Sequence, residues 1–242
     1  MNSTVDATVD ATVFATVVPA VTLIVPVLNE AGHIAATLRS LAGWRAHGAE
    51  VIVVDGGSTD ATREACAGLA DQVLSAPRGR ARQMMLGAAH ARGTVLLFLH
   101  ADTQLPPGAH AAIGAALASG RHAWGRFDVA ISGASPLLPL IARLMNLRSR
   151  LTGIATGDQA VFVTRAAFDA VGGFPDQLLM EDVELSRRLR RIGPPACLRL
   201  RVLTSGRRWE QFGVWRTVVL MWRLRWRYWR GTPADELARQ YR

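Results

Sequence analysis

Apolar and polar residues alternate in blocks along the first hundred positions, and the blocks predict strands and helices in turn. Three apolar, β-branched stretches bounded by polar or turn residues are predicted strands, at residues 21–27, 50–55 and 94–99, and QVLSA adds a short one. Helices are predicted from Glu30 to about His47, over about 60–69 and over 80–92. This alternation predicts an α/β fold with a doubly wound, mostly parallel sheet flanked by helices.

The second half of the chain is less regular, but it continues the same domain. Further strands are predicted at 122–131, 159–164 and 196–204, and further helices at 136–153, 181–192 and Val214 to Arg230. No linker separates these elements, so we predict one domain over 20–212, followed by a C-terminal Trp/Arg helix and tail over 213–242. Residues 1–19 repeat a short unit and lack a basic start, which predicts a disordered extension rather than a secretory signal.

The last predicted helix has an unusual distribution of side chains. At about 100° per residue its tryptophans fall on one ridge and its arginines on an adjacent one, with leucine, methionine and tyrosine opposite. The ridges are Trp215, Trp222, Trp226 and Trp229, and Arg216, Arg223, Arg227 and Arg230. Two interpretations remain open: the helix packs into the domain and exposes only its arginines, or it lies in a membrane interface. The second would place the protein peripherally on an anionic membrane surface and would suit a lipid-linked acceptor.

Composition narrows the chemistry that the chain can perform. It has 28 Lys plus Arg residues and 19 acidic ones, for a net charge of +9, and every basic residue is arginine. The absence of lysine excludes a P-loop lysine, a Schiff-base lysine and a pyridoxal site. Arginine suits phosphate ligands, although genomic composition bias would also explain its abundance. Cys66 and Cys197 are predicted to be buried free thiols in a reducing, cytoplasmic compartment. No apolar run is long enough to predict a transmembrane helix.

Polar groups follow each of the three long strands, where ligands bind in sheets of this kind. Asn29 and Glu30 follow the first strand, DGGSTD (55–60) ends the second, and His100 to Asp102 follow the third. Asp55 could accept hydrogen bonds from a base or ribose, or could simply end a strand–turn–helix connection. No G-x-G-x-x-G motif is present, which argues against a dinucleotide fold.

Two further features at this edge favour a diphosphate ligand. PRGRARQ (77–83) gathers Arg78, Arg80 and Arg82, which could meet phosphates or form a solvated basic turn. Asp102 offers the hard oxygen ligand that Mg²⁺ and Mn²⁺ prefer, so it could hold a divalent cation against a diphosphate. The alternative for Asp102 is a helix cap or turn residue.

Four motifs in register resemble the family 2 glycosyltransferases with the GT-A fold. They are VTLIVPVLNE, VIVVDGGSTD, VLLFLHADT and MEDVEL, and the resemblance covers roughly residues 20–210. RARQMMLGA, TGDQAVFV and TSGRRW are similar to the small bacterial subgroup named for arsenosugar biosynthesis. The resemblance implies an inverting transfer of a sugar from a nucleotide-sugar, usually a UDP-sugar, to an acceptor hydroxyl, assisted by Mn²⁺ or Mg²⁺.

The resemblance also assigns roles in the first half by position. It implies that Pro26, Asn29, Glu30 and Asp55 bind the nucleotide, and Arg78 and Arg82 are added to that set from their spacing. It implies that Asp102, after Ala101, is the last acid of a D-x-D motif and a metal ligand. His100 replaces the first acid. His100 could contact ribose, favour Mn²⁺ as a second metal ligand, or pack without a role.

The second half supplies the chemistry that the resemblance implies. Glu181 and Asp182 match the family's E-D motif, with Asp182 as catalytic base. The simpler interpretation is a helix N-terminal acid stabilised by the helix dipole. The remaining donor, diphosphate and acceptor candidates are Ala101, Gly157, Asp158, Arg207, Arg208 and Trp209. The chain lacks the glutamine of the Q-x-x-R-W motif, so processive synthesis is not indicated.

Three other functions are weighed against this one. A non-catalytic nucleotide-sugar-binding protein would share the fold but would not need Asp182. A nucleic-acid-binding module would use the net positive charge, but the aromatic residues cluster on one helix, so no nucleic-acid partner is expected. A nucleotidyltransferase would need a Gly-rich basic loop where VLNEAGH stands.

Overall fold

The computed structural model describes residues 20–241, so the predicted extension at 1–19 and the terminal Arg242 lie outside the described residues. One eight-stranded sheet organises this part of the chain. Its strands are β1 Val21–Val27, β2 Glu50–Asp55, β3 Gln72–Ser75, β4 Val95–Phe98, β5 Thr103–Gln104, β6 Trp124–Ser132, β7 Phe162–Thr164 and β8 Ala196–Ser205.

Helices connect and cover these strands. They are α1 Ile34–Ser40, α2 Ala42–Ala46, α3 Thr62–Ala65, α4 Arg80–His90, α5 Ala109–Ala118, α6 Leu138–Thr152, α7 Arg165–Ala170, α8 Glu181–Leu189, α9 Arg207–Phe212, α10 Val214–Trp229 and α11 Ala234–Tyr241. A short 3-10 turn spans Gly157–Gln159.

The sheet has the order β3-β2-β1-β4-β7-β6-β8-β5. β3, β2, β1 and β4 are parallel, β7 runs antiparallel to β4 and β6, and β6 is parallel to β8. The predicted α/β class with a mostly parallel sheet is therefore confirmed. The third long strand, β4, is parallel to β1 and antiparallel to β7, so it is parallel to only one of its two neighbours.

The long strands are apolar on both faces because helices cover both sides of the sheet. Along β1, Leu23 and Val25 pack into one core cluster, whereas Ile24 between them packs into the other. Continuous apolar runs are typical of strands buried on both faces. The same packing brings the carboxyl ends of β1, β2 and β4 to one edge, where Val27 pairs with Asp55 and Ile24 with Phe98.

Several helices differ from the predictions. The helix predicted from Glu30 to His47 is two helices that meet at Leu41, and the one predicted over 60–69 covers only Thr62–Ala65. Helix α5 was not predicted, because its sequence AHAAIGAALA has little contrast between polar and apolar faces. Helix α11 was predicted only as a tail. Cys197, predicted as buried, is half-buried, and both cysteines are free thiols.

Helix α10 packs on the domain through the face opposite its tryptophans. Leu224 is fully buried and forms a small core with Met180 and Leu237, which ties α10 to α8 and α11. The tryptophan ridge faces solvent, so of the two interpretations left open, the one in which packing exposes only the arginines does not hold. Within residues 20–241, no helix has both the length and the apolar character to cross a membrane.

Candidate active site

A cleft opens at the carboxyl ends of the central strands. Its larger part, about 430 Å³, is lined by Pro26, Glu30, Arg78 and Gln83 together with Ala238 of α11. A smaller part, about 190 Å³, is lined by side chains of the 3-10 turn, α8, α9 and α10. Both parts share Arg80, His100, Asp102, Leu179, Glu181 and Tyr241. The cleft is therefore one site built from five or more separate segments of the chain.

The loops after β1 and β2 hold one another in place. Asn29 adopts a left-handed conformation with φ 54°, and its Oδ1 accepts a hydrogen bond from the Thr59 N–H at 2.8 Å. Ser58 Oγ in turn accepts from the Asn29 N–H at 2.9 Å. Asp55 is buried, and its carboxylate accepts from the Ser58 N–H and hydroxyl. Asp55 and Asn29 thus shape the loops beneath Pro26 and Glu30, which line the cleft.

Gln83 is a positioning residue that sequence reasoning missed. Its buried side-chain amide donates to the Val27 carbonyl at 2.8 Å and to the Val54 carbonyl at 2.7 Å, so it joins the ends of β1 and β2. A Cβ at Gly56 would lie 3.0 Å from the same amide, which explains the glycine in the turn. A buried glutamine near a strand end gives no periodic signal in the sequence.

The arginines of PRGRARQ separate into two environments. Arg78 and Arg80 line the cleft, and Arg80 lies within electrostatic range of Glu181, Asp182 and Asp102. Desolvation lowers the pKa of the Arg80 guanidinium, but the charges of Tyr241, Glu181, Asp182 and Asp102 together raise it by more, so the side chain stays cationic. Arg82, predicted to bind nucleotide, is instead paired with Asp176 at 2.7 Å and does not line the cleft.

All three residues of the H-A-D segment line the cleft, and Ala101 is the most buried of them. Ala101 is buried, and its carbonyl accepts a hydrogen bond from the Thr37 hydroxyl at 2.5 Å. Asp102 remains partly exposed, with its side chain 28% accessible, and Arg207 Nη2 lies 3.9 Å from it. His100 packs on Gly157, where a Cβ would come within 2.4 Å of His100 Nε2.

His100 is a neutral imidazole. Burial, and next the positive charge of Arg80, lower the pKa of His100 to about 3. Its Nε2 faces the backbone of Gly157, so the ring supports the 3-10 turn.

Glu181 and Asp182 begin α8 after Met180, which adopts a left-handed conformation with φ 63°. Asp182 accepts hydrogen bonds from the Gly157 N–H at 2.8 Å and from its neighbour Val183 at 2.7 Å. Burial raises the pKa of Asp182, and the Gly157 hydrogen bond partly opposes that rise. Burial and then the charge of Asp182 raise the pKa of Glu181 to about 7. The two acids therefore hold protons more tightly than ordinary carboxyl groups.

The T-G-D-Q segment is the 3-10 turn that carries Gly157 and Asp158. Gln159 is buried, and it forms a capping box with Thr156 that fixes the turn. Asp158 lines the smaller part of the cleft beside Asp182. The fixed turn aims the Gly157 N–H at Asp182.

The G-R-R-W segment opens α9 beside the smaller part of the cleft. Arg207 Nη2 lies 3.3 Å from Glu30 and reaches toward Asp102. Arg208 stacks 3.8 Å from the Tyr241 ring centroid and donates to its carbonyl at 2.9 Å. Trp209 lines the smaller part of the cleft. Tyr241 and Ala238 of α11 are cleft residues that the sequence did not single out, whereas Arg80 was named only as part of the basic turn.

The chain shows similarity to known proteins that agrees with this geometry. The sequence model described as glycosyl transferase family 2 matches residues 22–165, more than half of the chain. A comparison with proteins of curated function gives no match.

Solved structures share the fold. A mannosyltransferase from Pyrobaculum calidifontis in complex with GDP-Man and Mn²⁺ is 23% identical, with a TM-score of 0.58 over 76% of this chain and 56% of that one. S. aureus TarS 1–349 in complex with UDP is 18% identical, with a TM-score of 0.63 over 77% of this chain and 60% of that one. The same protein in complex with UDP-GlcNAc has a TM-score of 0.60 at 18% identity, over 77% of this chain and 58% of that one. The chain spans less than two thirds of the length of each of these structures.

Proposed function

The chain belongs to glycosyl transferase family 2, and from that premise we propose that it transfers a sugar from a nucleotide-sugar to an acceptor hydroxyl with inversion. The observation that carries the proposal is Asp182, held by the Gly157 N–H in the same cleft as Asp102 and Arg80. This arrangement places the Asp182 carboxylate, whose pKa is raised, in one cleft with Arg80 and Asp102. The Arg80 guanidinium suits a diphosphate, and the Asp102 carboxylate suits a divalent cation that would hold the diphosphate.

The proposed reaction needs a base on the acceptor side. The acceptor oxygen forms a bond to the anomeric carbon as its proton passes to Asp182, and the bond from that carbon to the diphosphate oxygen breaks with its electrons. The hydrogen bonds from Gly157 and Val183 fix the orientation of the Asp182 carboxylate. Its raised pKa strengthens it as a proton acceptor, which the helix dipole alone would weaken.

We propose that the nucleotide occupies the larger part of the cleft. Pro26 and Glu30 line it, with Asn29 and Asp55 shaping the loops below, and a UDP-sugar is the proposed donor. S. aureus TarS, which shares the fold, has been solved with UDP-GlcNAc, and the P. calidifontis enzyme with GDP-Man. Arg78 and Arg80 would meet the diphosphate, and Arg80 takes the place that was first given to Arg82.

The residues at Asp102 fit a divalent cation that draws most of its ligands from the substrate. Within residues 20–241, no cluster of three or more His, Cys, Asp or Glu side chains is arranged to hold a metal. Asp102 has a partly exposed carboxylate, and His100 Nε2 is turned to Gly157. When bound, Mn²⁺ or Mg²⁺ would neutralise charge on the departing diphosphate.

The acceptor is proposed to approach from the side of α9 and α10. Gly157 and Asp158 border the place for the donor sugar, whereas Arg208 and Trp209 line the opposite wall. Arg225 of α10 also lines this wall, and among the described residues its Nε has no hydrogen-bond partner. We propose a cytoplasmic location, peripheral on the inner face of the membrane, as a lipid-linked acceptor would require.

Membership of the arsenosugar-type subgroup is a finer proposal. Its three similar stretches surround the cleft: RARQ opens α4, TGDQ forms the 3-10 turn, and TSGRRW leads into α9. Their clustering supports a shared donor-side architecture with that subgroup, and the acceptor stays open.

Donor cleavage tests the proposal without knowledge of the acceptor, since water can replace it. We expect one nucleotide-sugar in a screen to be hydrolysed in the presence of Mn²⁺. Asp182→Asn should lower this turnover about 10²–10⁴-fold, while Asp169→Asn, an exposed aspartate on α7, should not. Unchanged turnover in Asp182→Asn would contradict the assignment of Asp182 as the base. No turnover with any donor that binds would favour the non-catalytic nucleotide-sugar-binding protein.

A further inference from the structure

Helix α10 presents a continuous apolar strip to solvent. Five large side chains form it, and their exposed fractions lie between 57% and 80%: Trp215, Val219, Trp222, Trp226 and Trp229. At about 100° per residue they occupy an arc about 80° wide. Soluble monomers rarely expose a strip of this kind unless it contacts a membrane or a partner.

The strip is not a core-facing surface left open by chance. The opposite face of α10 is already used, because Leu224 is fully buried against Met180 and Leu237. Arg227 on the same helix is tied to α11 through Glu236 and Gln240. The orientation of the helix is therefore fixed, with its tryptophans outward.

Positive charge borders the apolar strip on one side. Arg216, Arg223 and Arg230 are exposed and follow each other along an adjacent ridge, and none has an acidic partner within 4 Å among residues 20–241. The helix contains no aspartate or glutamate. Tryptophan beside uncompensated arginine complements the interface of an anionic bilayer, where indole sits at headgroup depth and guanidinium meets phosphate.

The same surface is continuous with the candidate active site. A groove of about 570 Å³ opens on it, lined by Trp215, Val219 and Arg223, and it shares Arg208, Thr217 and Tyr241 with the pocket that contains Asp182. A protein seated on this face would have its catalytic cleft beside the membrane surface.

We infer that the exposed Trp/Arg face of α10 is a docking surface for an anionic lipid bilayer. This inference rests on the exposure and charge of α10. Only the idea that docking would bring the cleft to a lipid-linked acceptor rests on the proposed function. Membrane attachment can therefore be measured without donor, acceptor or metal, so its failure and the failure of the proposed function are distinguishable.

Vesicle sedimentation of the full chain tests the inference. Phosphatidylcholine vesicles are compared with vesicles that also contain phosphatidylglycerol. We expect binding only to the anionic vesicles, with a blue shift of tryptophan emission and loss of binding at about 1 M salt, where charges are screened within a few ångströms. Trp222→Glu with Trp229→Glu should abolish binding. Both side chains are more than 70% exposed, so these substitutions spare the core.

Matched variants separate this face from the rest of the surface. Arg216→Gln, Arg223→Gln and Arg230→Gln together should lower vesicle partitioning on the order of 100-fold. The control is Arg39→Gln, Arg121→Gln and Arg199→Gln together, which removes the same charge from exposed arginines elsewhere. This control variant should show a much smaller loss of vesicle partitioning. Ile192→Glu, at an exposed apolar residue after α8, should leave binding unchanged.

Four results would overturn the inference. They are no vesicle binding by the wild type, equal binding to neutral vesicles, wild-type binding by the tryptophan variant, and a dimer that the tryptophan variant converts to monomers. The last would assign the face to a second copy of the chain.

Discussion

At the scale of single residues, the candidate site depends on Gly157, which contacts Asp182 on one side and His100 on the other. The Gly157 N–H orients Asp182, and the 3-10 turn that presents this N–H rests on the His100 ring. His100 thus occupies the first position of the H-A-D motif as a neutral spacer. The sequence showed that a histidine replaced an acid there, but its contact with Gly157 is between residues 57 positions apart and could not be predicted.

Gly157→Ala tests this contact. The added methyl would lie 2.4 Å from His100 Nε2, so the ring or the turn must move, and unfolding free energy should fall by about 1–3 kcal/mol. His100→Ala should relieve the clash, and the double variant should regain most of the loss in a urea-denaturation cycle. Gly43→Ala, with no atom near its Cβ, should be neutral or stabilising. Additive losses in the double variant would show that the two residues are not in contact.

Glu181 predicts a pH-dependent stability. Its pKa is about 7 in the folded chain and lies above its ordinary 4.5, so the folded state binds the proton more tightly than the unfolded state. The contribution of protonated Glu181 to the free energy of unfolding is therefore fully present below about pH 4.5. It is lost as pH rises through about 7, and it amounts to as much as about 3 kcal/mol. Glu181→Gln should be more stable than the wild type at about pH 8 and similar at about pH 4, measured by urea denaturation. A constant difference across pH would contradict the shifted pKa.

At the scale of elements, strands were predicted better than the helices that complete the cleft. β1, β2 and β4 are mostly apolar and end at or before polar residues, which is a strong local signal. α5 has too little contrast to be recognised, and α11 contributes Ala238 and Tyr241 to the cleft through contacts with distant segments. Arg80 and Arg82 are two residues apart, and the turn of α4 alone decides which one faces the cleft.

The packing of α10 should contribute measurably to stability. Leu224 is fully buried between Met180 and Leu237, so Leu224→Ala should lower unfolding free energy by about 2–5 kcal/mol. Leu151→Ala, at a leucine of α6 that is 78% exposed, should change it by less than about 0.5 kcal/mol. Because Met180 directly precedes Glu181 and the proposed base Asp182, donor hydrolysis should also fall in Leu224→Ala. Equal costs for the two variants in urea denaturation would contradict the packing described for α10.

At the scale of the whole molecule, one edge of the sheet gathers acids and arginines that are distant in sequence. The parallel arrangement of β1, β2 and β4 made that edge predictable, since loops after parallel strands meet. The antiparallel β7 and the long β6–β8 pair position the 3-10 turn and α9 at this edge. No local sequence pattern indicated where these two segments would lie. The central claim is that this edge binds a nucleoside diphosphate with a divalent cation.

Calorimetric titration of UDP in the presence of Mn²⁺, with the wild type and Asp102→Ala compared, tests that claim most directly. We expect saturable binding by the wild type that weakens when Mn²⁺ is removed, and binding by Asp102→Ala that no longer responds to Mn²⁺. Absence of binding by UDP, GDP and every other nucleoside diphosphate would contradict it, as would metal-dependent binding that Asp102→Ala leaves intact.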